Sequence, residues 1–153
     1  MYTIGIDVGG TNLKAGLVNE AYEIVATSKM PLTWQSQEKL AEDLAFLAED
    51  VIAQKGIGKE EVASVGIGFP GAVDRRRGSV IHTVNIPIRE MPVAQMLQKW
   101  WDVPVFLGND ADCAALGEFY HYGSGDIESF ILVTLGTGIG TGIIIHGHIW
   151  SGH

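Results

Sequence analysis

The chain is short of cysteine, proline and positive charge, and each shortage excludes something. Its single cysteine, Cys113, cannot form an internal disulfide, a CxxC pair or an iron–sulfur cluster, so a reducing compartment, the cytoplasm, is expected. Lys and Arg number 10 against 18 Asp and Glu, a formal net charge of −8, and the one basic run, Arg75-Arg76-Arg77, reads as a solvated turn. No nucleic-acid partner and no anionic membrane surface are expected of such a chain. With 5 Pro and no G-X-Y period, collagen-like and low-complexity architectures are excluded as well. No G-x-x-x-x-G-K-[ST] run occurs, which excludes a P-loop. Residues Met1 to Asp7 have no basic segment and carry an acid inside the first apolar stretch, so no signal peptide is expected.

What is plentiful is glycine, 20 of 153 residues, against an ordinary usage of about 7%. Without a repeat to explain them, these glycines occupy chosen backbone positions. A hydrophobic fraction of 46% supports one domain with a real core. Residues 2–8 and 13–19 read as strands around Gly9-Gly10-Thr11-Asn12, a tight turn in which glycine would supply positive φ, and 22–28 as a third strand. Ser36 is a candidate N-cap for a helix with Leu40, Leu44, Leu47 and Val51 on one face, stopped by Gly56. A buried strand at 62–67, a turn-rich stretch at 68–79 and a short strand near 80–84 follow. Then come a helix from Pro92 to Trp101, with Val93, Met96, Leu97 and Trp100 inward, and a strand at 103–107. Asn109-Asp110-Ala111-Asp112 opens a helix running to about Tyr122, and a linker follows at 121–126. Ser129–Ile145 is free of charge but holds Gly136, Gly138, Gly140 and Gly142, so it reads as two strands about a glycine turn rather than a membrane span. The order predicts an α/β fold with a mixed sheet and flanking helices. The expected division is a lobe over 1–124 and the opening hairpin of a second lobe over 125–153, which the chain does not finish.

Three glycine clusters carry candidate chemistry. Gly66-Ile67-Gly68-Phe69-Pro70-Gly71 matches G-x-G-x-x-G, with Glu90 about twenty residues on. The dinucleotide reading fails because Pro70 is followed by a polar turn instead of a helix that could face a pyrophosphate. The other two, Asp7-Val8-Gly9-Gly10-Thr11-Asn12 and Leu135–Gly142, sit in β-turns, whose successive N–H groups form concavities for anions, with threonine hydroxyls as further donors. Two such turns can clamp a polyphosphate, and Asp7 beside phosphates calls for a divalent cation, Mg²⁺, between them. Each turn taken alone reads equally well as an ordinary hairpin with Asp7 capping locally. Asp110 and Asp112 point about 200° apart on a helix, so only one can face a cleft. From spacing alone, Asn109 or Asp110 is an N-cap and Asp112 a first-turn acid.

Ile4 to Val18 resembles the first phosphate motif of sugar kinases with the actin-like, ribonuclease-H-like ATPase fold. Gly66–Gly71 resembles their sugar-side loop, Asn109-Asp110 the catalytic pair, and Leu135–Gly142 the second phosphate motif of the ROK (repressor, open reading frame, kinase) family, closest to its bacterial glucokinases. The matches run in family order over essentially the whole chain. The resemblance implies phosphoryl transfer from ATP to a hexose hydroxyl, with Asp110 as general base, reversing the capping preference at that residue. It implies sugar contacts from Gly71, Asn109 and Asp110, and Asp7 holding Mg²⁺ through water. The phosphates would lie against Gly9, Gly10, Thr11, Asn12, Gly136, Thr137 and Gly138. Asn85 resembles a family asparagine near the sugar, although the aromatic residue that often follows is absent, and a turn residue before Pro87 is an equal reading.

His146, His148 and His153 could suggest metal, but no cysteine accompanies them. Lys14 points outward, and spacing assigns it no phosphate. The Glu-x-Gly-His segment, zinc site and adenosine lobe of the family pattern are missing, so an isolated chain with poor ATP binding is expected. The alternative function is a sugar-sensing repressor of the same family without its helix-turn-helix domain. A third, the related ATPase activators, would need iron–sulfur ligands that Cys113 alone cannot provide. The unpaired strand edges of the last hairpin point to a homo-oligomer formed through residues 129–146.

Overall fold

The computed structural model describes residues 1–122, 127–136 and 138–151. They form two compact units, Met1–Gly108 and Asn109–His153.

In the first unit β1 (Tyr2–Val8), β2 (Asn12–Val18) and β3 (Ile24–Pro31) form an antiparallel meander. The helix α1 (Gln37–Lys55) then crosses over to β4 (Val62–Phe69), which pairs parallel to β1. With β8 (Val105–Asn109) the sheet order is β3-β2-β1-β4-β8, the expected mixed sheet. Alternation sets the two faces: Ile4, Ile6 and Val8 of β1, Leu13, Ala15 and Leu17 of β2, and Val65, Ile67 and Phe69 of β4 are buried in one core. The stripe Leu40, Leu44, Leu47 and Val51 of α1 is buried in the same core. The helix begins and ends where its residues dictate: the Ser36 side chain accepts from the Lys39 N–H at 3.1 Å, and Gly56 takes φ +73 with its N–H on the Ala53 carbonyl.

Between β4 and β8 lies a small antiparallel sheet, β5 (Ala72–Asp74), β6 (Ser79–His82) and β7 (Arg89–Met91). The stretch expected as turns thus contains β5, and β7 went unforeseen; both are only three residues long. Gly66–Gly71 runs from β4 into β5 without opening a helix, which removes the dinucleotide reading. The helix expected over 92–101 is α2, Val93–Leu97. Because it ends there, helical phase no longer governs the tryptophans, and Trp101 rather than Trp100 is buried.

In the second unit α3 (Asp110–His121) packs on an antiparallel sheet of β9 (Ser129–Leu135), β10 (Ile139–Ile145) and β11 (His148–Ile149), ordered β11-β10-β9. Ala115, Phe119 and Ile144 are its buried cluster. Contacts therefore divide the chain at 108/109, where the reading of the sequence placed its lobe boundary at 124, because α3 keeps company with the hairpin. The expected linker lies partly outside the described residues, at 123–126. The 129–145 segment is two strands, and no helix among the described residues is long and apolar enough to cross a membrane.

Candidate active site

The turn after β1 is built by a short span. The Gly9 N–H donates to the Asn12 carbonyl at 2.9 Å, and a Cβ on Gly9 would stand 2.9 Å from that same oxygen. Neither Gly9 nor Gly10 has positive φ. The expected reason for glycine is thereby corrected: at Gly9 it is the close approach of the backbone, not handedness, that excludes a side chain. Leu32 donates to the Thr11 carbonyl at 2.9 Å, tying the turn to the exit of β3. The N–H groups of Gly10 and Thr11 find no acceptor among the described residues, and both residues are exposed. Two adjacent outward N–H groups with the Thr11 hydroxyl beside them make a seat for anionic oxygens.

Asp7 is the penultimate residue of β1 and lies on the face opposite the hydrophobic core. Its side chain is 54% exposed, and the Lys14 ammonium stands 3.9 Å from Oδ2. The strand is buried on one face only, so the expectation of Asp7 on a buried strand holds for its backbone and not for its carboxylate. Lys14 is the neighbour that spacing missed; the signal was available in the hairpin register, which sets Asp7 opposite Lys14.

Asn85 is carried on a loop anchored by its own apolar residues. Ile86 and Ile88 are buried, the Thr83 N–H donates to the Ile88 carbonyl at 3.3 Å and the Ile88 N–H to the Ile86 carbonyl at 2.7 Å, and the Thr83 hydroxyl donates to the Ile86 carbonyl. Asn85 is left exposed, with Nδ2 3.8 Å from where a Gly10 Cβ would be. The structure thus brings together an expected sugar residue and the turn expected to hold phosphate. Gly71 supports this loop from below: its φ is +113, and a Cβ would fall 2.4 Å from the His82 carbonyl oxygen and 3.0 Å from Thr83 Cα.

In the second unit, Asn109 caps α3, its Oδ1 accepting from the Ala111 N–H at 3.0 Å and the Asp112 N–H at 3.3 Å. Asp110 is exposed in the first turn, and one of its oxygens accepts from the Ala111 N–H at 2.9 Å. Its other oxygen, Oδ2, has no hydrogen bond among the described residues. Asp112 is half-buried, so the two acids do diverge, and the more exposed one is Asp110. The cap therefore falls to Asn109, freeing Asp110 for other work.

The hairpin turn after β9 closes by a Gly136 N–H to Gly138 carbonyl bond of 2.9 Å. Space around Gly136 and Gly138 is open, while Thr137 lies outside the described residues. Gly140 and Gly142 have a different role. A Cβ at Gly142 would lie 2.4 Å from Ala115 Cβ, and one at Gly140 3.0 Å from Ala111 Cβ. These two glycines let β10 lie against α3. His146 sits in the turn after β10 with φ +50, and His148 in β11, so they share no strand; His153 lies outside the described residues. No group of three metal-ligating side chains occurs among the described residues.

Comparison with known proteins bears on this arrangement. The glucokinase of Streptomyces coelicolor is 38% identical over 151 residues, 99% of this chain and 46% of the relative. A ROK family glucokinase from Streptomyces griseus, solved in complex with glucose and AMPPNP, superposes with a TM-score of 0.87 at 34% identity, covering 100% of this chain and 47% of that one. A ROK family transcriptional regulator homologous to the E. coli MLC protein shares the fold, with a TM-score of 0.83 at 23% identity over 99% of this chain and 38% of that one. The chain spans about half the length of the curated relatives it matches. Its architecture, a mixed sheet with flanking helices, is that of the actin-like ATPase fold found in the ROK sugar kinases. The ROK family model matches residues 3–153, and the protein belongs to the ROK family.

Proposed function

We propose that this chain is the N-terminal half of an ATP-dependent hexose kinase, with glucose the foremost substrate. One observation carries the reading: the entire chain superposes on a glucokinase that holds glucose and AMPPNP. In this reading residues 1–124 are the first lobe and 125–153 open the second. The Gly10 and Thr11 N–H groups, with Gly9 and Asn12 shaping the turn, receive phosphate oxygens, and Gly136, Thr137 and Gly138 form the second phosphate turn. Asn85, beside Gly10, and Asn109 and Gly71 contact the sugar. Asp110, exposed and with Oδ2 not hydrogen-bonded among the described residues, accepts the proton of the sugar hydroxyl. As that oxygen forms its bond to the γ-phosphorus, the bond to the β-phosphate oxygen breaks and ADP departs. Such a transfer depends on positioning and charge neutralisation, for which one carboxylate base suffices.

Asp7 fits a magnesium role: it is a hard oxygen donor, half-exposed, at the rim of the phosphate turn, and it belongs to no group of three metal-ligating side chains among the described residues, as suits an ion held mostly by water and phosphates. When bound, Mg²⁺ would neutralise phosphate charge. The single cysteine and the charge of −8 support a cytoplasmic location without nucleic-acid or membrane partners. The exposed apolar face of the last hairpin supports a homo-oligomer.

The test is a chimera in which this chain replaces the matching half of the Streptomyces griseus enzyme. It is expected to phosphorylate glucose, and Asp110→Ala to lower kcat by about 10²–10⁴. A folded chimera inactive on every hexose and amino sugar would instead favour the sensor function of the family's regulators.

A further inference from the structure

Asp7 is one end of a row of charges. Strand register sets Lys14 of β2 opposite Asp7, and Lys29 of β3 opposite Lys14, while on its other side Asp7 faces Gly68 of β4, which has no side chain. Anion, cation and cation therefore follow one another across three adjacent strands, all three exposed. Like charges directly opposite repel, so Lys29 biases Lys14 toward Asp7, where its ammonium stands 3.9 Å from Oδ2. That separation is too long for a hydrogen bond, and with the two side chains 59% and 54% exposed the pair is loose and exchangeable.

We propose that Lys14 is the resident counter-ion of the Asp7 carboxylate, and that a divalent cation binds there only by displacing it. This rests on the metal-assisted transfer proposed above and adds a selectivity to it. A bare divalent ion meets a carboxylate already neutralised, with a second ammonium behind. A metal that arrives already bound to a nucleotide triphosphate carries net negative charge, which the two lysines attract instead of repelling. Lys14 and Lys29 thus set the site against free metal and in favour of the metal–nucleotide complex. Lys14 is a positioning residue here, acting through Asp7.

Binding of Mn²⁺ alone to the 153-residue chain, followed by the loss of the free-ion paramagnetic resonance signal, tests this without any turnover. Lys14→Met is expected to tighten Mn²⁺ binding about two- to fivefold, the range an exposed pair supports. The gain should fade at high salt, where exposed charges are screened. Lys29→Met should give a smaller gain, and Asp7→Asn and the Asp7→Asn/Lys14→Met double variant should both lose the site. An unchanged or weakened Mn²⁺ affinity in Lys14→Met, with Asp7→Asn still losing the ion, overturns the counter-ion role alone. Equal gains in Lys14→Met and Lys29→Met would reduce the effect to overall charge and overturn it too. Wild-type binding indifferent to Asp7→Asn would overturn the metal role of Asp7 itself, and the counter-ion role with it.

Discussion

At the scale of single residues, glycine divides into uses that look alike along the chain and differ in space. Gly71 is required by both handedness and room: φ is +113 and a Cβ would lie 2.4 Å from the His82 carbonyl oxygen. Gly5, also in a G-rich motif, has no atom within 4 Å of its Cβ position. Gly71→Ala is therefore expected to cost about 2 kcal/mol or more in a urea titration, against less than about 0.5 kcal/mol either way for Gly5→Ala. Equal midpoints for the two variants would refute the argument. Motif order singled out Asp7, Gly10, Asn85 and Asp110 as candidates, because the chemistry proposed for them is carried by residue type. It could not separate Gly136 and Gly138, which are open, from Gly140 and Gly142, which receive Ala111 and Ala115. That distinction depends on a helix some twenty-five residues away, and no local pattern contains it. The same limit hid Lys14, whose meaning lies in the strand opposite.

At the scale of elements, what was legible is what local physics decides. The long helix α1 carries its own start and stop signals, and its boundaries coincide with Ser36 and Gly56 as read from the sequence. The strands β5 and β7 carry no comparable signal, since three residues are too few to show a period and their pairing partner β6 is supplied from elsewhere. The start of α1 can be tested. Ser36→Ala removes the acceptor for the Lys39 N–H and is expected to cost about 1 kcal/mol at neutral pH. Glu38 adds a pH dependence. Its carboxyl is held below the usual carboxylate range first by its own backbone N–H and then by the Ser36 hydroxyl. A folded pKa below the unfolded one stabilises the protein above the unfolded value, 4.5, and that contribution is lost as pH falls through the folded value. The penalty of Ser36→Ala should accordingly be larger at pH 7 than at about pH 3. Thermal unfolding of the two proteins at both pH values measures it, and a penalty that grows in acid would contradict the cap geometry.

At the scale of the whole molecule, the two units differ in how much apolar surface each covers. The first buries a continuous core on one face of its sheet beneath α1. The second buries Ala115, Phe119 and Ile144 on the side of α3. The opposite face of its sheet leaves Ile131 64%, Val133 55%, Leu135 80% and Ile139 79% exposed. Register sets Leu135 opposite Ile139 and Ile131 opposite Ile143, so these side chains form a continuous apolar patch. Such a face costs free energy in water and is relieved by a cover, and in a solution of this chain alone the available cover is a second copy. Amide hydrogen exchange across concentration reads this directly. At low concentration the β9 and β10 amides should exchange faster than those of β1 and β4, whose strands lie in the middle of the larger sheet. Raising the concentration should protect β9 and β10 selectively, with sedimentation showing a larger species. Ile131→Lys, which puts a charge in the patch without touching the α3 side, should abolish both effects and leave the exchange of β1 and β4 unchanged. A chain that stays monomeric at high concentration, with hairpin protection independent of concentration, would rule out the homo-oligomer.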